Sequence, residues 1–331
     1  MSETFSALQT SDTDQGYQTA LVTRTMDDLP AGEVLIRVQW SSLNYKDALS
    51  GTGNKGVTRS YPHTPGIDAA GRVISDSSGT FVADTAVIVT GYDLGMNTAG
   101  GYGEYIRVPA GWVTRLPDAM EARTAMLLGT AGLTAGLCVQ ALLDSGVSPE
   151  DGDVLVTGAT GGVGSLAVAL LAHLGFSVVA GTGKADADGW LQSLGASRCV
   201  DRDALLADAE RPVHKPRWAG AVDTLGGPAL ANAVKATRYG GSVACCGLAA
   251  STDLPLSVFP FILRNVRLLG VDSVEQPLAA KAAIWQRLAT DWRIPALEQI
   301  LCEEVALADV PDWFGRILAG GVRGRVLVKV S

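Results

Sequence analysis

The sequence predicts an α/β protein with a β-rich part and a doubly wound parallel-sheet part. Three observations carry this. The first 120 residues hold short runs of alternating apolar and polar residues between glycine and proline turns. From near Glu121 onward, strand-like and helix-like apolar segments alternate. At Val154–Leu166 (VLVTGATGGVGSL) a buried strand runs through glycines into a helix. With 331 residues, 47% hydrophobic and 18% charged, the chain has enough apolar material for two domains.

In chain order, Glu33–Trp40 (EVLIRVQW), Asp84–Thr90 (DTAVIVT) and Gly103–Val108 (GEYIRV) read as half-buried strands. Turns at Pro62–Gly66 and Gly100–Gly103 give this region the texture of a small irregular barrel or sandwich. Arg123–Leu143 has helical spacing. The expected strands that follow are Val154–Thr157, Ser177–Ala180, Arg198–Val200, Ala219–Asp223 and Gly241–Cys246, with helices at Ser165–Leu174, Ala185–Leu194 and Ala229–Thr237. Gly175 and Gly195 stop the first two helices. The tail has a short strand at Val266–Val271, two helical patterns and a last strand at Arg325–Val330, and is expected to return to the first domain. The expected boundaries are 1–124 for the first part of the β-rich domain, 125–264 for the Rossmann domain and 265–331 for the return.

A net charge of −8 argues against a nucleic-acid partner, and any anionic ligand needs a local basic site. The five cysteines are odd in number and scattered, so neither a disulfide framework nor a structural zinc is expected, and a reducing cytoplasm fits. The N-terminus lacks a basic start and an apolar core, so it does not read as a signal peptide. The uncharged stretches Thr124–Leu143 and Val154–Gly183 are interrupted by glycines, and no membrane partner is expected.

The glycine turn has a specific physics. Residues without a Cβ let the backbone approach a pyrophosphate, and the helix N-terminus offers N–H groups and the positive end of its dipole. In the GxGxxG register Gly161 and Gly164 take the second and third positions, and Ala159 replaces the first glycine. After the next strand the chain reads Gly181-Thr182-Gly183-Lys184, where an NAD site usually carries an acid. Thr182 and Lys184 are donors suited to a 2′-phosphate, so the expected cofactor is NADPH. Asp186 and Asp188 just beyond weigh against this.

Several blocks resemble one family. Ser41–Asp47 (SSLNYKD), Pro65–Asp68 (PGID), Gly129–Ala135 (GTAGLTA), Pro260–Arg267 (PFILRNVR) and Gly270–Ser273 (GVDS) look like the acryloyl-CoA reductases of the YhdH/AcuI type, within the medium-chain dehydrogenase/reductase superfamily. The resemblance covers nearly the whole chain. It implies a GroES-like β-rich catalytic domain beside the Rossmann domain, and NADPH-dependent reduction of acryloyl-CoA. By position it implies cofactor contacts at Tyr45, Thr160, Gly161, Gly162, Val163, Thr182, Gly183, Lys184, Arg202, Leu248, Ile262 and Ser273. Thr182 and Lys184 replace a typical Ser and Arg, a point charge standing in for a fork. Gly320 stands where relatives can have an asparagine, and that contact is not carried over. Relatives commonly form dimers, so a homodimer is expected, with Val266–Val271 as an edge for pairing.

The zinc-dependent branch needs a cysteine within Asn44–Asp47 and a histidine where this chain has Ile67. Neither is present, and His63, His173 and His214 are scattered, so no metal is expected. Without a metal, the hydride acceptor must already be electron-poor, as an α,β-unsaturated thioester is. Tyr45 is the expected catalytic donor, unless it only packs on the cofactor, and Asn44 is expected to orient the carbonyl. Lys46 and Asp47 read as a structural ion pair. Lys55 and Arg59, in the loop Gly51–Ser60, either meet the phosphates of CoA or are solvated charges. The competing readings are an NADPH:quinone or enone reductase and a low-turnover NADPH-binding protein.

Overall fold

A computed structural model describes residues 3–331. The chain opens with a hairpin, β1 (Thr4–Thr13) and β2 (Gly16–Thr25). There follow β3 (Val34–Leu43), α1 (Tyr45–Gly51), β4 (Asp68–Asp76), β5 (Ala86–Thr90), β6 (Tyr105–Val108), β7 (Val113–Arg115) and α2 (Ala122–Asp144). The parallel-sheet region runs β8 (Val154–Val156), α3 (Gly162–His173), β9 (Val178–Thr182), α4 (Asp188–Ser193), β10 (Ala196–Asp201), α5 (Arg202–Leu206), β11 (Trp218–Asp223), α6 (Gly227–Lys235), β12 (Thr237–Cys245), α7 (Phe259–Arg264) and β13 (Arg267–Gly270). The chain ends with α8 (Leu278–Ala289), β14 (Leu301–Ala306), α9 (Pro311–Leu318) and β15 (Arg325–Lys329). It divides into two compact units. The first holds Met1–Ala131, Ser273–Thr290 and Leu301–Ser331, and the second Gly132–Asp272 and Asp291–Ile300.

In the first unit the strand order is β14-β15-β3-β4-β5-β7, with β6 paired to β3. β3 explains itself from its sequence. Val34, Ile36 and Val38 point into a core with Val87, Val89, Ile106 and Val108, while Arg37 is exposed between them. Its last residues, Ser41, Ser42 and Leu43, are all buried, because β15 pairs there from Val326↔Leu43 to Lys329↔Trp40. Two serines under a neighbouring strand need hydrogen-bond partners, and those partners make the site described below. The hairpin β1–β2 was not anticipated, because its polar threonines and glutamines give a weak apolar alternation.

In the second unit all strands are parallel and ordered β10-β9-β8-β11-β12-β13. Numbered from β8, this is 3-2-1-4-5-6, the Rossmann order, which reverses between β8 and β11. β9 and β11 are buried along their whole length, as strands covered on both faces are. The strand expected at Val266–Val271 is β13, and it does not return to the first domain. It completes the parallel sheet as sixth strand, in register from Ser242↔Arg267 to Cys245↔Gly270. The intervening residues 246–266, with α7, supply the long crossover that a parallel pair requires. The chain passes between units further along, at Asp272/Ser273.

α2 is long and apolar enough to cross a membrane by length and composition, but 72% of its most apolar window is buried in the protein. Its path is also broken at Gly129, whose φ of 54° and ψ of −159° are not helical. The unit boundary falls within it, after Ala131 rather than at 124.

Candidate active site

The glycine turn sits at the reversal point of the parallel sheet. Gly158 has φ of 58°, and the Thr157 hydroxyl donates to Asp223 Oδ1 at 2.6 Å, tying the end of β8 to the end of β11. A Cβ on Gly164 would collide with the Gly158 carbonyl, so helix and turn touch backbone to backbone. Ala159 is buried and donates its N–H to Gly181 O at 3.0 Å. α3 then begins at Gly162 with Gly161 as N-cap, and no side chain caps it. Gly161, Gly162 and Val163 are partly exposed and Thr160 is buried beside them. The first N–H groups of a twelve-residue helix are thus available to an anion, and the residues present fit a dinucleotide.

At the end of β9, Thr182 is buried and its Oγ1 accepts the Lys184 N–H at 3.0 Å. Gly183 is exposed and covered by Arg202 from the start of α5. A Cβ on Gly183 would lie 2.6 Å from the Arg202 guanidinium. Arg202 has no carboxylate partner among the described residues. Thr182, Gly183 and Arg202 are therefore brought together, with Lys184 next to them in the chain. Leu248 and Ile262 are exposed, on the 246–258 loop and on α7.

The first unit contains a different kind of site. Tyr45 is the first residue of α1, and 48% of it is exposed. Asn44 caps that helix. Its N–H donates to Asp47 Oδ2 at 2.8 Å, and Asp47 Oδ1 accepts the Ile67 N–H at 2.8 Å. Asp68 Oδ2 accepts from Ser42 Oγ at 2.6 Å, Asn44 Nδ2 at 2.8 Å and Thr130 N at 2.9 Å. Arg325, from the last strand, donates to Leu127 O, Leu43 O, Asn44 Oδ1 and Ser42 Oγ, and its Nη2 lies 4.0 Å from Asp68 Oδ2. Tyr102 OH stands 3.2 Å from both Asp47 Oδ2 and Ser42 O. Gly129 leaves helical geometry here, and an added Cβ would meet Asp68, Arg325 and Ser42. Two carboxyls and one guanidinium, all buried, leave the cluster one positive charge short. Burial, helped by the neighbouring Asp68, pushes the Asp47 carboxyl up to about 7, against the pull of its backbone donors.

Comparison with known proteins gives a consistent result. Residues 30–118 match an alcohol dehydrogenase GroES-like domain, and residues 162–289 match a zinc-binding dehydrogenase family. Acrylyl-CoA reductase AcuI of Ruegeria pomeroyi is 45% identical over 95% of this chain and 95% of its own. The chain belongs to the acryloyl-CoA reductase family of the YhdH/AcuI type. The yhdH oxidoreductase of Salmonella enterica, solved in complex with NADP, superposes with a TM-score of 0.96 at 46% identity, covering 98% of this chain and all of that one. Bacillus subtilis yhfP, solved with NAD bound, gives 0.97 at 43% identity over 99% and 100%.

For this family member, two expectations about the site need correction. The Asn44 amide is committed at both ends, to Asp68 and to Arg325, so it does not present itself to a substrate carbonyl. Lys46 and Asp47 do not form an ion pair. As the third residue of α1, Asp47 turns inward to close the capping box, whereas Lys46 is partly exposed. The sequence reading quoted Asp68 only within a motif and missed Arg325, Tyr102 and Asp223. The signal for the first two was the unpaired charge demand of Asp47 and Asp68, next to an arginine opening an apolar strand. Ser273 is buried in the first unit, apart in the chain from the other expected cofactor residues.

Proposed function

We propose that this protein reduces the activated double bond of a 2-enoyl-CoA, acryloyl-CoA to propanoyl-CoA, with NADPH and without a metal. The observation that carries the reading is Tyr45: an exposed phenol at the head of a helix whose cap is locked by buried charge. The acrylyl-CoA reductase name of the Ruegeria relative and the NADP in the Salmonella structure support the substrate and the cofactor.

Bound NADPH supplies the hydride for the β-carbon. The N–H groups at the start of α3 hold its pyrophosphate, and Thr182, Lys184 and Arg202 hold the 2′-phosphate. Tyr45 donates toward the thioester oxygen, where negative charge develops, and serves as the proton source for the α-carbon. Asn44 acts through Tyr45, by fixing the helix start, together with Asp47, Asp68 and Arg325. Leu248, Ile262 and Ser273 line the cofactor.

The residues present do not fit the zinc of the matched dehydrogenase family. Ile67 is apolar, and the oxygens of Asp47 and Asp68 are taken by N–H and O–H donors. No group of three His, Cys, Asp or Glu able to hold a metal occurs among the described residues. The assembly we infer is a homodimer. β13 is an open edge strand, and Val258, Phe259, Ile262 and Leu263 beside it are exposed. The free cysteines fit a reducing cytoplasm.

Steady-state NADPH oxidation with acryloyl-CoA, crotonyl-CoA and a benzoquinone tests the reading. A preference for acryloyl-CoA is expected, a preference for the quinone favours the broad reductase, and no turnover leaves a cofactor-binding protein. Tyr45→Phe should lower kcat about 100-fold or more if the phenol is the acid. An unchanged kcat would reduce Tyr45 to packing, since the ring is retained.

A further inference from the structure

The loop 52–62 after α1 holds a feature that the reaction as derived does not use. Tyr17, from β2, and Tyr61 bring their rings to 4.8 Å between centroids. The Lys55 ammonium sits over both, 4.6 Å from the Tyr61 ring and 5.4 Å from the Tyr17 ring. Gly53, with φ of 87°, lets the loop lie against Tyr17, where a Cβ would run into the ring. Arg59 follows four residues after Lys55, and its N–H is held by Asn97 Oδ1 at 3.1 Å. Both cations are exposed, and neither pairs with a carboxylate among the described residues. Asp93, which reaches the loop through Asn97, is itself taken by the Asn97 amide and the Thr98 hydroxyl.

We propose that Lys55 and Arg59 form the docking site for the phosphates of the CoA ester, with Tyr17 and Tyr61 as the clamp that presents the lysine. The proposal rests on the enoyl-CoA reading. A surface lysine ordinarily loses rotamer freedom when it binds. Here the two rings and a long, 3.5 Å hydrogen bond to the Arg59 carbonyl already restrain the exposed ammonium, and none of these contacts neutralises its charge. In a chain of net charge −8, two unpaired cations on one loop form the local basic spot that a polyphosphate needs. The loop is also joined to the reacting end. Tyr61 OH donates to Ser50 O at 2.8 Å, in the last turn of α1, whose first residue is Tyr45. At 1.5 Å per residue that helix is about 10 Å long, a span the pantetheine arm can bridge.

The test compares acryloyl-CoA with the acryloyl thioester of N-acetylcysteamine, which lacks the nucleotide. In the Lys55→Ala/Arg59→Ala variant, the ratio of kcat/KM for the CoA ester to that for the short thioester should drop about tenfold or more, from loss of charge-assisted bonds. Tyr17→Ala should lower the same ratio more weakly. An unchanged ratio, or a raised KM for NADPH in place of one for the CoA ester, overturns the proposal, the latter because the cations would then serve the cofactor. Direct titration of CoA into the wild type and the double variant separates this from the functional reading. If the enzyme turns over no thioester yet the variant binds CoA about tenfold more weakly, the docking site stands and the reaction assignment falls; equal binding sinks the docking site.

Discussion

The two units solve the problem of holding a charged group in opposite ways. The second unit does it by removing side chains. Gly158, Gly161 and Gly162 leave backbone partly exposed, the buried Gly164 lets helix and turn touch, and the helix end carries N–H groups that no side chain caps. The first unit does it by burying side chains against one another until almost every lone pair and proton is used, with Asp47, Asp68 and Arg325 withdrawn from water. An open cradle can bind and release. A saturated cluster can only hold its neighbours still, which suits a scaffold beneath Tyr45 and not a ligand site.

The comparison can be broken most sharply at Arg325. Arg325→Met leaves two buried carboxyls without a cation and should cost about 3–5 kcal/mol in urea unfolding. NADPH affinity should persist wherever the variant remains folded, and parallel losses of stability and affinity would show that the two sites are not independent. Gly164→Ala probes the cradle. The added methyl meets the Gly158 carbonyl, and the Kd for NADPH should rise about 100-fold, near 3 kcal/mol, in a fluorescence titration. Arg202→Ala should raise the KM for NADPH about tenfold or more while NADH is little affected, through loss of about 1.5–3 kcal/mol of charge-assisted bonding. Since a relative was solved with NAD, an equal effect on both cofactors would remove Arg202 from the 2′-phosphate.

A further prediction concerns pH. Burial raises Asp47 from 3.8 to about 7, so the folded state holds a proton that the unfolded chain releases. This contribution to stability is complete below about pH 4 and is lost as pH climbs through 7. Urea midpoints of the wild type should therefore decline across that window, and Asp47→Asn should flatten the decline. A wild-type profile that is flat from pH 4 to 8 would show that Asp47 ionises freely.

The sequence was most legible where a local pattern is also the physical cause. The glycine turn and the buried strands around it follow from spacing alone, because they lie within one βαβ unit. The cluster was not legible. Its members lie at 42–47, 68, 102, 130 and 325, and what joins them is strand pairing between β3, β4 and β15, which no local window contains. Asp47 beside Lys46 reads as a structural ion pair because a sequence does not say which way a helix faces. β13 was assigned to the wrong sheet for a related reason. A short apolar strand reads the same in either, and only the crossover before it decides.

Arg325 comes later in the chain than every other member of the cluster. Through Leu127, 198 residues earlier, and Leu43, Asn44 and Ser42, 281 to 283 residues earlier, it closes a site made from distant parts of the chain. All six strands of the Rossmann sheet precede β15 in the chain, whereas the first unit lacks its buried cation until that strand is in place. A nick or early stop just before Arg325 would then give a chain that still takes up nucleotide but never fixes Tyr45.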